Sequence, residues 1–492
     1  MLLNMLKKIT LLTMMCFIVA CGDNSSSKTD SLNTTEEADV KDEAEAESET
    51  EAEAETESEE NTDVSNQVIA TDGSLNILLI IGDDIGVDVI SGYEEQPNFT
   101  AQTSTLDRLA KEGVLFRNAW ANPMCSPSRA SILTGRYAFR HGVTSPGSSN
   151  SSLPQSEDTL PELLSMTNIT SALFGKWHLG RGTGNYPTEH GFEYYSGSMS
   201  NIENYFQWQK TQITSAEAAV QEITETKYAT EVVAAEALNW ILSQSTPWFA
   251  QVSFNAPHSP YHVPPESTYS SVNLLGDEGD VCTASSSNDD VKLCYRAAIE
   301  SMDYHINNLI SAIPQSTLNN TLIIFVGDNG TPGGVIIEEP GLPFSENHGK
   351  KTVYEGGVNV PLIIWGGSAT GVDPSEVLDL VMIQDIFSTV VELSGQSDFS
   401  KLSVDGISLL GLIDNETDRL LSHEYQFTEL RNDADGLNRW AITDGALKYL
   451  NNEGKQECYD LTNDPSEVND LYVIDPQQGA LCDELAFSKP AD

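Results

Sequence analysis

Oxygen-bearing side chains follow two apolar runs of the sequence, at the point where each run ends. Asp83 and Asp84 follow the first run, and Asp328 and Asn329 follow the second. In open α/β sheets, ligands bind at the carboxyl ends of the strands, and an oxygen-only donor set favours Ca²⁺ or Mg²⁺ over zinc. Adjacent buried carboxylates also carry a desolvation cost that a cation offsets. The pattern therefore predicts a divalent-cation site, Ca²⁺ with Mg²⁺ as the alternative. Taken alone, either pair could instead be helix caps or turn residues.

A cysteine with a distinctive neighbourhood lies between these two pairs. It opens the string Cys125-Ser126-Pro127-Ser128-Arg129, and the chain then continues to a Leu-Thr-Gly sequence. The position is a strand-to-helix junction, where the first turn of a helix stabilises an anion. We therefore expect an anion to bind beside Cys125.

The Cys-x-Pro-x-Arg string with its Leu-Thr-Gly end resembles the signature of type I sulfatases, the arylsulfatase-like family of the alkaline phosphatase superfamily. Four further segments resemble that family in the same order, and the resemblance covers roughly residues 75–471. These segments are Gly-Lys-Trp-His-Leu-Gly at 175–180, Asn-Ala-Pro-His-Ser-Pro at 255–260, His-Gly-Lys-Lys-Thr-Val-Tyr-Glu-Gly-Gly at 348–357, and Tyr-Asp-Leu at 459–461 with Asp464, Pro465 and Glu467. A single motif could arise by chance, but five in order indicate membership.

The resemblance implies a sulfuric ester hydrolase that uses a modified cysteine. In the family, a formylglycine-generating enzyme oxidises the cysteine, here Cys125, to Cα-formylglycine. One hydroxyl of the hydrated aldehyde attacks the sulfur of a sulfate monoester, and the other then releases the sulfate. The implied cation ligands are Asp83, Asp84, Asp328 and Asn329 together with the modified Cys125.

The resemblance also assigns roles to basic side chains. Arg129 would hold the nucleophile and anchor the cation cluster, while Lys176 and Lys350 would bind sulfate oxygens. His258 would protonate the leaving alcohol and His178 would act as the neighbouring base.

Three further residues have alternative interpretations. Lys351 could replace its neighbour Lys350 as the sulfate-binding lysine. His190 could line the substrate pocket, and His141 could assist the nucleophile. His262 and His305 are expected to be surface or core histidines.

The predicted substrate is a sulfated carbohydrate or polysaccharide, an interpretation based on compartment and family rather than on a pocket. One alternative is a phosphodiesterase or phosphonate monoester hydrolase of the same superfamily. A second is an inactive glycan-binding lipoprotein, which would require the loss of a motif residue, and none is missing.

The elements that must position these residues alternate between strands and helices. The predicted strands are Leu75–Ile81, Val114–Trp120, Ile169–Phe174, Trp248–Phe254, Leu322–Val326 and Val360–Trp365. The predicted helices are Thr103–Glu112, Tyr228–Leu242, Val291–Ile313 and Val381–Leu393. The alternation indicates an α/β fold with a large, mostly parallel central sheet sandwiched by helices, the alkaline-phosphatase-like arrangement that the resemblance also implies.

From about residue 420 the pattern changes to short strand-like pieces. These are Leu421–Phe427, Trp440–Thr443, Lys448–Leu450 and Glu457–Leu461. They predict a small antiparallel sheet, so we place a sulfatase catalytic domain at residues 73–412 and a small C-terminal α+β subdomain at residues 413–492.

The charge of the 492-residue chain excludes one class of partner. Its 25 Lys and Arg against 74 Asp and Glu give a formal net charge of −49, which repels nucleic acid. Residues 22–63 carry 17 of the acids with two lysines and no aromatic residue, so they cannot bury enough surface to fold. We predict that residues 21–72 form a disordered acidic linker. From residue 64 onward, 57 acids face 21 bases, so the body is acidic too.

The N-terminus predicts export. Lys7 and Lys8 precede an apolar run, Ile9–Ala20, that is too short to span a bilayer and has the length of a signal-peptide core. Small residues before Cys21 resemble a bacterial lipoprotein cleavage box, which implies a signal peptide at residues 1–20 and lipidation of Cys21. An ordinary signal peptide is the alternative. The prediction is an exported bacterial lipoprotein in the periplasm or at the cell surface, held to the membrane by its lipid anchor only.

The sequence has seven cysteines, of which Cys16 lies in the predicted signal peptide and Cys21 and Cys125 have the roles given above. The other four could form disulfides, which an exported compartment permits. Proximity in sequence favours Cys282 with Cys294 and Cys458 with Cys482, although four cysteines allow three connectivities.

Overall fold

The structure is a computed structural model that describes residues 68–93, 100–146, 151–215, 218–274, 276–282, 288–337, 344–396, 402–414, 422–432 and 437–491. All of them belong to one compact unit, Val64–Asp492. The predicted signal peptide, the lipidated Cys21 and most of the predicted linker lie outside the described residues. Within the described ranges, no helix combines the length and the apolar character needed to cross a bilayer.

The described strands form two sheets. They are β1 Asn76–Gly82, β2 Val114–Trp120, β3 Thr170–Gly175, β4 Tyr194–Gly197, β5 Trp208–Ile213, β6 Gln221–Glu225, β7 Trp248–Ser253, β8 Thr321–Gly327, β9 Leu362–Gly366, β10 Ser375–Met382, β11 Gln426–Asn432, β12 Leu437–Thr443, β13 Leu447–Asn452 and β14 Lys455–Asp460. The large sheet has ten strands in the order β10-β2-β9-β8-β1-β7-β3-β4-β5-β6, and the small sheet has the order β11-β12-β13-β14.

The centre of the large sheet is parallel, as predicted, and its flanks are mixed. Strands β8, β1, β7, β3 and β4 run parallel to one another. Strand β9 is antiparallel to both of its neighbours, and β5 and β6 continue antiparallel beyond β4. The α/β class is confirmed, with a sheet that is mixed overall.

The two faces of this sheet explain why its central strands are apolar throughout. Ile77, Leu79 and Ile81 of β1 belong to one hydrophobic core, and the alternating Leu78 and Ile80 belong to a second core on the opposite face. Side chains alternate across a strand, so a strand covered on both faces needs a continuous apolar run.

Helices supply both covers. They are α1 Ser104–Glu112, α2 Cys125–Thr134, α3 Ala138–His141, α4 Leu160–Leu164, α5 Ala229–Ser243, α6 Asn288–Ala312, α7 Gln315–Leu318, α8 Glu355–Val358, α9 Asp385–Leu393, α10 Leu410–Ile413, α11 Leu471–Ile474 and α12 Pro476–Ala486. Buried residues of α1, α5 and α6 join one core, and those of α2, α4 and α9 join the other.

One predicted element is wrong at its start. The sequence pattern predicts a single helix over Val381–Leu393, but Val381 and Met382 end strand β10, and α9 begins only at Asp385. The Asp385 carboxylate accepts a hydrogen bond from the Met382 backbone N–H at 2.7 Å, which closes the turn between them. An apolar run that crosses such a turn keeps no single periodicity.

The small antiparallel sheet is present as predicted and packs against the edge of the large one. The Gln426 amide donates to the carbonyls of Asn118 and Val381, at 2.7 Å in each case. A disulfide joins Cys458 of β14 to Cys482 of α12, and a second joins Cys282 to Cys294. Both are the pairs that proximity in sequence favours.

Candidate active site

Strand register brings the two acidic pairs together. Gly82 of β1 pairs with Gly327 of β8, so the residues that follow each glycine leave the sheet side by side. The Asp84 backbone N–H donates to Asp328 Oδ1 at 3.1 Å, and the Asn329 amide donates to Asp84 Oδ1 at 2.9 Å. The carboxyl ends of parallel strands therefore form the cluster, as the pattern predicts.

The cluster fits a divalent cation. Asp83, Asp84, Asp328 and Asn329 are all buried, and Asp83 Oδ1 and Asn329 Oδ1 have no hydrogen-bond partner among the described residues. Ligand atoms of Asp83, Cys125 and Asp328 lie within 4.8 Å of one another. Unpartnered buried oxygens beside carboxylates are the donor set that Ca²⁺ or Mg²⁺ takes.

Cys125 is the first residue of α2, beside this cluster. Its side chain is 1% exposed, and its Sγ lies 3.2 Å from His178 Nδ1. Burial raises the pKa of the Cys125 thiol, although the charges of Lys176 and Lys350 act in the opposite direction. An unmodified thiol here is therefore a poor nucleophile, since the thiolate is the reactive form.

Arg129, four residues further along α2, is fixed against the cluster. Its Nε and Nη2 lie 3.0 and 2.8 Å from Asp328 Oδ2, and its Nη1 donates to the Lys176 carbonyl at 3.0 Å. The side chain is 1% exposed. These contacts make Arg129 an anchor of the carboxylates.

Both predicted lysines contact the cluster, at different depths. Lys176 follows β3, is fully buried and donates to Asp83, while Lys350 donates to Asp84 and faces a cavity. Burial raises the pKa of Asp83, but Lys176, His258 and Arg129 outweigh it and hold the pKa below its usual value. Lys176 thus compensates the negative charge of a buried carboxylate and does not line the cavity. Lys350 lines the cavity, so a bound anion can contact it.

The two histidines assigned to proton transfer line the same cavity. Burial, followed by the charges of Lys176 and Arg129, holds the pKa of His178 well below its usual value, so the ring is neutral. His258 Nδ1 lies 2.7 Å from the Ser259 carbonyl, and its Nε2 lies 3.8 Å from Asp84 Oδ2. Hydrogen bonding through Nδ1 therefore orients Nε2 toward the cluster.

A cavity of about 600 Å³ opens above these groups. The residues that line it are Asp84, Met124, Cys125, Pro146, His178, Asn201, His258, Ser259, Tyr261, Pro332, Gly333, Lys350 and Lys351. Its volume suits a sugar-sized ligand.

Two histidines considered for the site lie away from the cavity lining. His190 is 1% exposed, its ring packs at a tilt against that of Trp177, and it lies 3.3 Å from the Gln155 amide nitrogen. His141 contacts Ser131 and the Val143 backbone N–H. His190 thus supports the segment that carries His178 and is not positioned to touch a ligand. His262 and His305 are buried core residues.

Backbone strain is concentrated at the site. Asp84, His178 and Lys351 have φ angles of 72°, 62° and 74°, in the left-handed region that non-glycine residues rarely adopt. Such conformations cost roughly 1–3 kcal/mol and persist where the surrounding structure enforces them, as at functional sites.

Several residues of the cavity lining are not predicted from the sequence, and Tyr261 and Asn201 are two of them. Tyr261 lies on the His258 loop, three residues further along, and this proximity could have suggested it. Asn201 comes from the loop after β4, a strand that was not predicted because its four residues Tyr194–Gly197 are too short for a clear pattern.

Comparison with known proteins agrees with this geometry. The sulfatase family model matches residues 75–396. N-acetylgalactosamine-6-sulfatase of Homo sapiens is 32% identical over 362 residues, which cover 68% of this chain and 65% of that protein. The chain thus matches about two thirds of the length of this relative.

Two solved structures show the same fold. The structure of Ps i-CgsB in complex with k-i-k-neocarrahexaose superposes with a TM-score of 0.67 at 25% identity, over 84% of this chain and 91% of that one. Phosphonate monoester hydrolase of Agrobacterium radiobacter superposes with a TM-score of 0.62 at 21% identity, over 84% and 95%. The second likeness shows the fold alone. With more than half of its length matched by the family model, the chain belongs to the sulfatase family.

Proposed function

We propose that this protein hydrolyses the sulfate monoester of a sulfated carbohydrate. One observation carries the proposal: Cys125, at the start of α2, lies between the acidic cluster and His178 on the floor of a cavity that Lys350 and His258 also line. That arrangement places a nucleophile position, a cation site and an anion-binding lysine around one point.

Two groups beyond the ordinary side chains belong to the proposal. Asp83, Asp84, Asp328 and Asn329 would hold a divalent cation, which supplies polarisation of the sulfate oxygens and of the nucleophile. Cys125, converted to Cα-formylglycine by a formylglycine-generating enzyme, would supply a hydroxyl nucleophile in its hydrated form. Without this conversion the buried thiol remains largely protonated.

The remaining side chains bind, orient and transfer protons. Lys350 binds a sulfate oxygen as negative charge develops there, and Lys176 and Arg129 neutralise the carboxylates beneath. His178, neutral and next to Cys125, accepts a proton from the nucleophile. His258, fixed through Nδ1, directs Nε2 to the leaving oxygen and donates a proton to it.

The carbohydrate part of the proposal rests on two supports. The human relative is named for a sulfated amino sugar, and the structure with a TM-score of 0.67 holds an oligosaccharide. The cavity of about 600 Å³ has room for a sugar ring. The phosphonate monoester hydrolase likeness is one of fold, so the reaction must be tested directly.

The test is a comparison of reaction rates on matched esters. Purified protein, produced together with a formylglycine-generating enzyme, is assayed on an aryl sulfate, an aryl phosphate diester and a panel of sulfated oligosaccharides, with released sulfate measured by ion chromatography. Mass spectrometry of the peptide that contains Cys125 reports the aldehyde. A faster rate on the phosphate diester would refute the proposal, and an unmodified thiol in active enzyme would refute the nucleophile.

We also propose that the protein is exported and lipidated at Cys21. The two disulfides, Cys282–Cys294 and Cys458–Cys482, support an oxidising compartment. Metabolic labelling with an alkyne fatty acid should label the wild type and leave Cys21→Ser unlabelled. Equal labelling of both proteins would contradict lipidation at this residue.

A further inference from the structure

A second cavity adjoins the catalytic one. It has a volume of about 490 Å³, and Asn201 lines both cavities. Its wall comes from Arg181, from Tyr186, from the loop between β4 and β5, from β5 itself and from Glu222 of β6. The proposed cleavage site and this cavity therefore share a boundary.

The shared boundary is tied to the catalytic segments by hydrogen bonds. The His178 backbone N–H donates to the Met199 carbonyl at 3.2 Å, and the Ser198 hydroxyl donates to Asn255 Oδ1 at 3.0 Å. Tyr205 donates to the His258 carbonyl at 2.7 Å. These hydrogen bonds fix the position of the loop that forms the second cavity relative to the segments that carry His178 and His258.

The lining of the second cavity suits a sugar. Asn201, Asn204 and Gln207 present amide groups, which both donate and accept hydrogen bonds, as sugar hydroxyls require. Tyr186, which is partly exposed, adds aromatic surface.

Arg181 is the cation among the described residues that line this cavity, which also include Glu203 and Glu222, and the Glu222 carboxylate accepts hydrogen bonds from the Thr211 hydroxyl. Of the residues that the structure describes, no carboxylate lies within ion-pair distance of Arg181, whose guanidinium is exposed and donates to the Ser200 hydroxyl. Other arginines, such as Arg117, Arg136 and Arg439, have carboxylate partners at 2.6–2.9 Å. In a body with 57 acids and 21 bases, a cation at a cavity wall without such a partner is free to bind an external anion.

We propose that this cavity is a second sugar subsite, in which Arg181 binds an anionic substituent on the sugar next to the one that loses sulfate. The assignment rests on the proposed function, and it narrows the substrate class to oligosaccharides or polysaccharides with charge on adjacent sugars. The anionic substituent is a sulfate ester or a carboxylate, which a guanidinium binds with the same geometry.

The experiment compares Arg181→Ala with the wild type on disaccharides built on the best sulfated sugar of the panel above. The adjoining sugar carries a second sulfate, a carboxylate or no charge. We expect kcat/KM on the preferred charged disaccharide to fall roughly 10- to 100-fold, as for a lost charged hydrogen bond, and the preference over the neutral disaccharide to disappear. Whichever charged disaccharide, sulfated or carboxylated, shows the larger fall in kcat/KM carries the substituent that Arg181 binds.

Arg108→Ala is the matched control, because Arg108 is an exposed arginine on α1 whose partner is Glu112 of the same helix. It should keep the wild-type selectivity on every disaccharide. If wild type and Arg181→Ala both release sulfate and show the same preference for the charged over the neutral disaccharide, the subsite proposal would be wrong and the proposed function would stand. A wild type inactive on every sulfate ester would overturn the proposed function and the subsite with it.

Discussion

Lys350 and Lys351 are neighbours in sequence, but they have different surroundings. Lys350 is partly buried and donates to Asp84, where the attraction of this carboxylate outweighs desolvation and raises the lysine's pKa. Lys351 is exposed at the cavity rim with a left-handed backbone. Lys350 lies five residues before Glu355 of the motif, the spacing that favours it as the sulfate-binding lysine, and the contacts of the two side chains give the physical reason for that choice.

Lys350→Ala should therefore reduce kcat/KM for sulfate release by about 10²- to 10³-fold, since it removes a charge from the position where negative charge develops. Lys351→Ala is the paired control, and we expect less than about a tenfold loss. Steady-state kinetics on an aryl sulfate measure both. A larger loss from Lys351→Ala than from Lys350→Ala would reverse the assignment.

Cys125 allows the proposed nucleophile to be separated from the fold. Cys125→Ala should abolish sulfate release, because it removes the side chain from which the proposed nucleophile is made. The substitution removes only one buried sulfur atom from a large folded unit, so the thermal midpoint should fall by no more than about 2–4 °C. Differential scanning calorimetry and the sulfate assay are made on the same sample. Residual turnover near the wild-type rate would refute a role for Cys125.

The site residues differ in how far sequence alone could predict them. Asp83, Cys125, Lys176 and the other motif residues stand in long strings, so their types and order are informative without coordinates. Asn201 has no such string and joins the cavity only through the position of a loop. His190 lies in a pattern that suggests a pocket residue, yet it is buried and its ring contacts Trp177. Which way a side chain faces depends on tertiary packing, which these short patterns do not encode.

At the scale of elements, a buried ion cluster connects the small sheet to the active-site segment. Lys448 of β13 is fully buried between Glu355 and Glu467, at 2.9 and 2.8 Å. Glu355 begins α8, five residues after Lys350, and its backbone N–H donates to Glu467 Oε2 at 2.6 Å. The small sheet therefore holds in place the segment that carries the proposed anion-binding lysine.

Lys448→Met should lower the free energy of unfolding by about 3–5 kcal/mol, because it leaves two carboxylates buried without their cation. Urea denaturation followed by intrinsic fluorescence measures the change. Lys455→Met on β14 is the matched control, since Lys455 is 69% exposed in its ion pair with Glu457 and should cost less than about 1 kcal/mol. Equal losses from the two substitutions would show that burial of the Lys448 cluster does not matter.

The elements that sequence predicted best are those buried on both faces. Strand β2 has the predicted bounds Val114–Trp120, and β1 and β8 are shifted by only a residue or two. Strands β5 and β6 were missed, because exposed residues such as Gln209 and Glu222 break their apolar pattern. Edge strands pair through the backbone, which any residue except proline can do, so their side chains carry little signal.

At the scale of the whole molecule, charge opposes the proposed reaction at long range. From residue 64 onward the chain has 36 more acids than bases, while a sulfated polysaccharide is a polyanion. The positive charges at the site are those of Lys176, Lys350 and Arg129, and each already forms an ion pair with a carboxylate of the cluster. Attraction to the substrate must therefore come from short-range contacts and the cation, within a field that repels.

This opposition predicts the salt dependence of catalysis. The Debye length falls from about 30 Å at 0.01 M to about 8 Å at 0.15 M, so added salt screens long-range repulsion more than contacts inside a cavity. Between these ionic strengths, at constant divalent-cation concentration, kcat/KM on a sulfated polysaccharide should rise by a few fold relative to kcat/KM on a small aryl sulfate. The aryl sulfate is the internal control, because it carries a single charge and is repelled less. A ratio that falls with salt would mean that the substrate approaches along a locally basic surface strong enough to reverse the overall field.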